Sequence, residues 1–171
     1  MATITLTTGS SGNTVKGVAA LYGKPVRTIY KIVDLTTVQT DKGSTLATND
    51  VIKTVAVGAN SVLTFPRVVL LEAANIAAAK ISVGLTGSTT NIVQDGSIIG
   101  SLGFVQNGGA TALPSSIDCG TYSTIDVTLA SFSGTAPTTG QFVIQATVLD
   151  YNSQDGQNVN KIVPLGGVTG L

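Results

Sequence analysis

Short runs of strict period-two alternation constrain this chain more than any other feature. VRTIYKIV (Val26 to Val33) places Val26, Thr28, Tyr30 and Ile32 on one face and Arg27, Ile29, Lys31 and Val33 on the other. DVIKTVAV (Asp50 to Val57) repeats the pattern. In the long stretch from Ile125 to Tyr151, Ile125, Val127 and Leu129 alternate with Asp126 and Thr128. Phe142, Ile144, Ala146 and Val148 then alternate with Gln145 and Thr147. Successive side chains of a strand point to opposite faces, so this period specifies half-buried strands and not helices. Thr, Val and Ile are abundant, which favours the same state.

Turn signals break the chain every 8–12 residues or so, with no alternation of strands and long helices. That spacing predicts about eight strands in an all-β, antiparallel β-sandwich of the jelly-roll kind. The expected organisation is an extended N-terminal arm over residues 1–25, a sandwich over 26–161 and an uncharged tail over 162–171. Thr3 to Thr7 reads as a short strand, and Asp34 to Asn49 as a polar loop. Ser61 to Phe65 opens a strand that Pro66 must interrupt or place at an edge. Val68 to Leu71 is apolar at every position, as in a strand covered on both sides. EAANIAAAK (Glu72 to Lys80) is the one helix-competent segment, short enough to be a single turn. Ser97 to Val105 reads as strand-like and Leu113 to Tyr122 as irregular. Ile125 to Tyr151 reads as two strands joined in a hairpin by the loop Ser131 to Gly140, with Val143 and Leu149 marking a second buried surface.

Chemistry is largely excluded by residue type. The chain has no histidine and one cysteine, which removes the commonest general base and leaves no zinc or soft-metal ligand set. Cys119 has no histidine to activate it and reads as a small buried or turn residue. Nine basic and nine acidic residues give zero net charge, so no field exists to attract nucleic acid or an anionic membrane. GSIIGSLG (Gly96 to Gly103) lacks the lysine and the strand-to-helix setting of a phosphate loop, and GSSGN (Gly9 to Asn13) has no partner for a nucleophile. In DYNSQDGQN, Asp150, Asn152, Asp155 and Gly156 resemble a calcium loop displaced by one residue and lacking the late glutamate. The segment reads instead as an Asx-rich surface loop. No signal peptide is expected from MATITLTTGSSGN. The chain is therefore expected to be no enzyme and to need no cofactor. Mean hydropathy is nevertheless +0.39 and only 11% of residues are charged, a composition that suits life inside an assembly.

The series NDVIKTVAVGANSVLTFPRVVLLEAA, AKISVGLTGSTT and GTYSTIDVTLASFSGTAPTTGQFVIQATVLDY spans about Asn49 to Tyr151. It resembles small jelly-roll virion proteins of tailed phages, nearest to the capsid decoration (cement) proteins of podovirus and cyanophage type. The resemblance implies a homotrimer on the outside of the phage head that binds the major capsid protein and bridges capsomers. It also implies a virion location after synthesis in the host cytoplasm. Within that reading the arm residues Ile4, Leu6, Val15, Val18, Leu21 and Tyr22 and the tail residues Val163, Leu165, Val168 and Leu171 are the candidate contacts. A different class, the receptor- or glycan-binding head of a fibre or spike, would use Tyr122, Tyr151 and the loop Asp150 to Asn158.

Overall fold

The computed structural model describes residues 3–5, 26–108 and 112–150. These form ten strands and one helix: β1 Thr3–Thr5, β2 Val26–Asp34, α1 Leu35–Lys42, β3 Val51–Val57, β4 Ser61–Glu72, β5 Ala79–Leu85, β6 Ser88–Ser97, β7 Gly103–Phe104, β8 Ser116–Cys119, β9 Ser123–Phe132 and β10 Gln141–Asp150. One sheet has the order β2-β10-β4-β7, with β8 also paired to β4. The other has the order β1-β3-β9-β5-β6. Apart from β1, which lies parallel to β3, neighbours in both sheets are antiparallel. Strands β2-β10-β4-β7 facing β3-β9-β5-β6 is the strand order of a jelly roll, the class expected from the spacing of the turn signals.

The alternating apolar side chains meet between the sheets. Ile29, Val33, Leu63, Val68, Phe142 and Ile144 come from one sheet, and Ile52, Ile81, Val83, Ile125, Val127 and Leu129 from the other; all are buried. Lys31 shares the core-facing side of β2 with Ile29 and Val33 and is itself buried. The semi-buried outer side of β2 is therefore the one carrying Val26, Thr28, Tyr30 and Ile32.

Several local expectations are corrected. β9 and β10 are both strands, but they do not pair as a hairpin: β9 lies between β3 and β5, and β10 between β2 and β4. Residues 133–140 carry the chain from one sheet to the other. The segment from Glu72 to Lys80 is not helical. β4 ends at Glu72, β5 starts at Ala79, and the residues between them cross from sheet to sheet. The crossing packs closely on the connection from β9 to β10: an added Cβ on Gly140, whose φ is +135°, would sit 3.1 Å from Ala74 Cα. Asn75 fastens this crossing to the β9–β10 connection by accepting from the Thr138 and Thr139 amides at 3.0 and 3.2 Å.

The helix lies instead in the stretch read as a polar loop. The Asp34 side chain accepts from the Thr36 amide at 2.8 Å, and Gly43, at φ 69°, returns its amide to the Gln39 and Thr40 carbonyls. These are an N-cap and a left-handed C-cap. α1 buries Leu35 and Val38 over the end of the sandwich.

Pro66 neither ends β4 nor sits on an outermost strand. Phe65 takes a positive φ of 48°, and the register against β10 shifts between Gln145 and Thr147. The extra residue is a bulge that flips the alternation, so Ser61 and Leu63 face the core before it and Pro66, Val68 and Leu70 after it. On the far side of β4, β8 pairs with Ser61 to Thr64 and β7 with Val69 and Leu70. No ladder bond is therefore asked of the proline. β8 is a strand inside the segment read as irregular. Ser97 to Val105 is not one strand, since β6 ends at Ser97 and only Gly103 and Phe104 form β7. Val68 to Leu71 is covered on one side: Val68 and Leu70 are buried, Val69 is half-buried and Leu71 is exposed.

The connection from α1 to β3 is held by one buried ion pair. Lys42 Nζ lies 2.6 Å from Asp50 Oδ2, and the Ala47 amide donates to the same oxygen at 2.8 Å. Asp50 is 1% exposed. Removing one partner of a buried pair strands the other charge and typically costs about 3–5 kcal/mol. Asp50→Ala is expected to lower unfolding free energy by about 3 kcal/mol in chemical denaturation, since Lys42 retains some access to water. Lys80→Met, at an exposed position, should stay within about 0.5 kcal/mol.

Candidate interaction surface

The two outward faces of the sandwich differ in chemistry, although both belong to antiparallel sheets with one side on the core. On the face of β3, β9, β5 and β6, the cross-strand set is polar: Lys53 pairs with Asp126, and Ser82 with Thr128. Asp126 is 3% exposed and accepts from Thr124 Oγ1 at 2.5 Å and Thr86 Oγ1 at 2.8 Å. Ser82 Oγ and Asp95 lie 3.3 Å apart, and Asp95 sits at φ 49° in a register shift of β6 against β5. Two hydroxyls satisfy the lone pairs of a carboxylate that water scarcely reaches, as burial of such a group requires.

The opposite face is mixed: the rows Tyr30–Gln145–Arg67 and Thr28–Thr147–Thr64 lie between one apolar row and Leu149 with its partners Val26 and Val62. In the apolar row, Val143 stands in register with Ile32 on one side and Val69 on the other, and Val69 in turn with Phe104. This row crosses all four strands, and Val143 is 3% exposed despite pointing away from the core. Val143 thus marks the second surface expected from β10, while Leu149 on the same face remains exposed. Tyr30, Phe65, Leu71 and Phe104 are exposed around the row. One cation lies among them, Arg67, whose guanidinium carbon sits 5.0 Å from the centre of the Phe104 ring. Such stacking satisfies a charge without a carboxylate.

Of the candidate contacts, Ile4 lies in β1, where its backbone pairs in parallel with Ile52. Leu6, Val15, Val18, Leu21, Tyr22, Val163, Leu165, Val168 and Leu171 lie outside the described residues. So do Tyr151 and the rest of the Asx-rich loop beyond Asp150. Asp150 itself faces Arg27 at 3.5 Å, an ion pair without hydrogen-bond geometry at Nε. Tyr122 is strongly exposed between β8 and β9. Among the described residues no group of three or more histidine, cysteine, aspartate or glutamate side chains gathers as a metal site would require.

Two open concavities lie among the described residues. One, of about 490 Å³, lies over α1 and is lined by Thr36, Gln39, Thr40, Ser44, Thr45 and Thr138. It offers hydroxyls and an amide but no acid–base pair. The other, of about 360 Å³, opens beside β7 and includes Lys80, Asp95, Phe104, Gln106 and Asn107. The mixed face was legible in part: the alternation of β2 and β10 marks its residues. The half contributed by β4 was hidden, because the bulge at Phe65 changes which residues of β4 point outward.

Comparison with protein-family models, with curated proteins and with solved structures returns no match.

Cys119 is buried, as its reading required. Desolvation pushes its thiol above the ordinary value, and the charges of Asp118 and Asp150 add to the rise. Hydrogen bonding from the Ser61 side chain and the Leu63 backbone works against it. A thiol held protonated in the fold but free to ionise when unfolded contributes stability at low and neutral pH. That contribution is lost as pH climbs past about 8.5, the ordinary value, and through the folded value. Iodoacetamide at pH 8 is expected to leave the native thiol intact and to label it fully in denaturant. The decline of melting temperature above pH 9 should be shallower in Cys119→Ala than in the parent chain.

Proposed function

We propose that this chain is a structural virion protein, a decoration protein that binds the outside of a phage head as a homotrimer and stabilises contacts between capsomers. The observation that carries the reading is the coincidence of sequence and topology. The stretch resembling cement proteins, about Asn49 to Tyr151, holds every strand from β3 to β10 and thus all but the first strand of the roll. Jelly rolls also serve as lectin domains, and fold alone does not choose between these roles.

Cementing asks for a stiff body and repeated contacts, not for a reaction. The two-sheet core supplies the first. Threefold symmetry supplies the second, since each contact made in one subunit raises the effective concentration of the next two. The major capsid protein is the partner under this reading.

The specific observation favouring a glycan-binding head is the concavity beside β7. There Lys80, Asp95, Gln106 and Asn107 stand near the Phe104 ring, and sugar sites combine polar side chains with an aromatic face.

Purified protein mixed with heads lacking it is expected to co-sediment, saturably and in proportion to capsomers, and to raise the temperature at which packaged DNA escapes. A variant held monomeric should bind roughly 100-fold more weakly. Indifference to assembled heads combined with selective binding on a glycan array would replace this reading by the second.

A further inference from the structure

The outward face of the β2-β10-β4-β7 sheet departs from what an antiparallel sandwich shows to water. Such a sheet normally pairs an apolar inner face with a polar outer one, as the opposite sheet of this protein does. Here the row Ile32, Val143, Val69 and Phe104 runs unbroken across the sheet. We propose that this face is the surface through which copies of the chain associate, burying it against a second copy. The inference goes beyond the reading above and does not use its trimer, since a face packed on its own counterpart closes as a two-fold pair.

Three observations favour a second copy as occupant. The first is extent. Four strands spaced about 4.8 Å apart, with β2 and β10 roughly 30 Å long, give a footprint of about 600 Å² on each partner. Two such footprints total about 1,200 Å², above the roughly 1,000 Å² that a specific contact needs. The second is composition. Tyrosine, phenylalanine and arginine stand there with Gln145, Thr28, Thr64 and Thr147 and with no lysine or glutamate, a mix of enriched anchors and uncharged polar groups found at interfaces. Asp34, Glu72 and Asp118 stand only at the margins. With zero net charge on the chain, identical copies do not repel. The third is shape. A sheet face is well covered by another sheet face, and a copy of this chain supplies one with the same apolar row and the same threonine and glutamine rows to pair with.

Phe65 adds an independent sign. It is a bulky residue at φ 48°, 62% exposed. The positive φ serves the bulge of β4, but an aromatic ring turned into solvent gains nothing for the isolated fold. At the rim of the face, that ring would close over the edge of a partner.

Sedimentation velocity over a range of concentrations tests the assignment. Tyr30→Glu with Leu149→Glu places two charges per copy at exposed positions of the face. It is expected to weaken self-association at least about 100-fold with the circular-dichroism spectrum unchanged. Thr89→Glu with Gln94→Glu, equally charged but exposed on β6 of the other sheet, should leave association unaltered. Phe65→Asn should also weaken association while raising the melting temperature of the dissociated chain, because asparagine tolerates a positive φ.

A face variant that assembles like the parent overturns the inference, and so does a parent chain that stays monomeric. The latter would assign the cover to another part of the same chain or to a different protein. Head binding is scored separately. Association through this face without head binding overturns the virion reading alone. Head binding by an oligomer indifferent to the face overturns this inference alone.

Discussion

The whole architecture hangs on the ladder of β10. It pairs with β2 along nine register positions on one side and with β4 on the other, joining segments from opposite ends of the described chain. Nothing local holds β2 in its sheet. The same nesting recurs in the other sheet, where β9 is the strand between β3 and β5. A core of this kind cannot be assembled in pieces, because each half-sheet presents its apolar side to water until the late strands arrive. Folding should accordingly be cooperative, and slow for the chain's size.

Period-two alternation made the strands legible, because each strand faces the core on one side only. It carried no information about partners. Ile125 to Tyr151 looks like a hairpin because two good strands flank a polar loop, yet the loop turns between sheets and the arms never pair. Alternation also loses its phase wherever a residue is inserted, so no local pattern around Phe65 and Pro66 announces that the buried set moves from odd to even positions. Helix propensity misled in the other direction. The alanine-rich stretch after Glu72 serves as a crossing between sheets, with the Ala74 backbone packed against Gly140. The real helix has a weak interior, but its ends are written in the sequence as Asp34 before it and Gly43 after it. Capping residues were the better guide, since they act through specific hydrogen bonds and not through an average preference. The candidate surface followed the same rule: β2 and β10 marked their share of it, and β4 hid its own behind the bulge.

The low charge of the chain takes on a definite shape in three dimensions. The few ionised groups are mostly assigned to tasks, such as Lys42 and Asp50 fixing a connection or Asp126 gathering two threonine hydroxyls. What remains is a molecule with one hydroxyl-rich face and one mixed face crossed by an apolar row, joined back to back through a common core. That outward row adds to the apolar interior in the high mean hydropathy of the chain.

Val26 and Leu149 are register partners, so the chain enters β2 and leaves β10 at one corner of the sandwich. Tension applied between those two points would act across a single antiparallel ladder, opening it rung by rung like a zip. The same ladder pulled along its strands from opposite ends would have to shear many bonds at once. The protein is thus mechanically anisotropic, yielding at its corner and stiff along its strands.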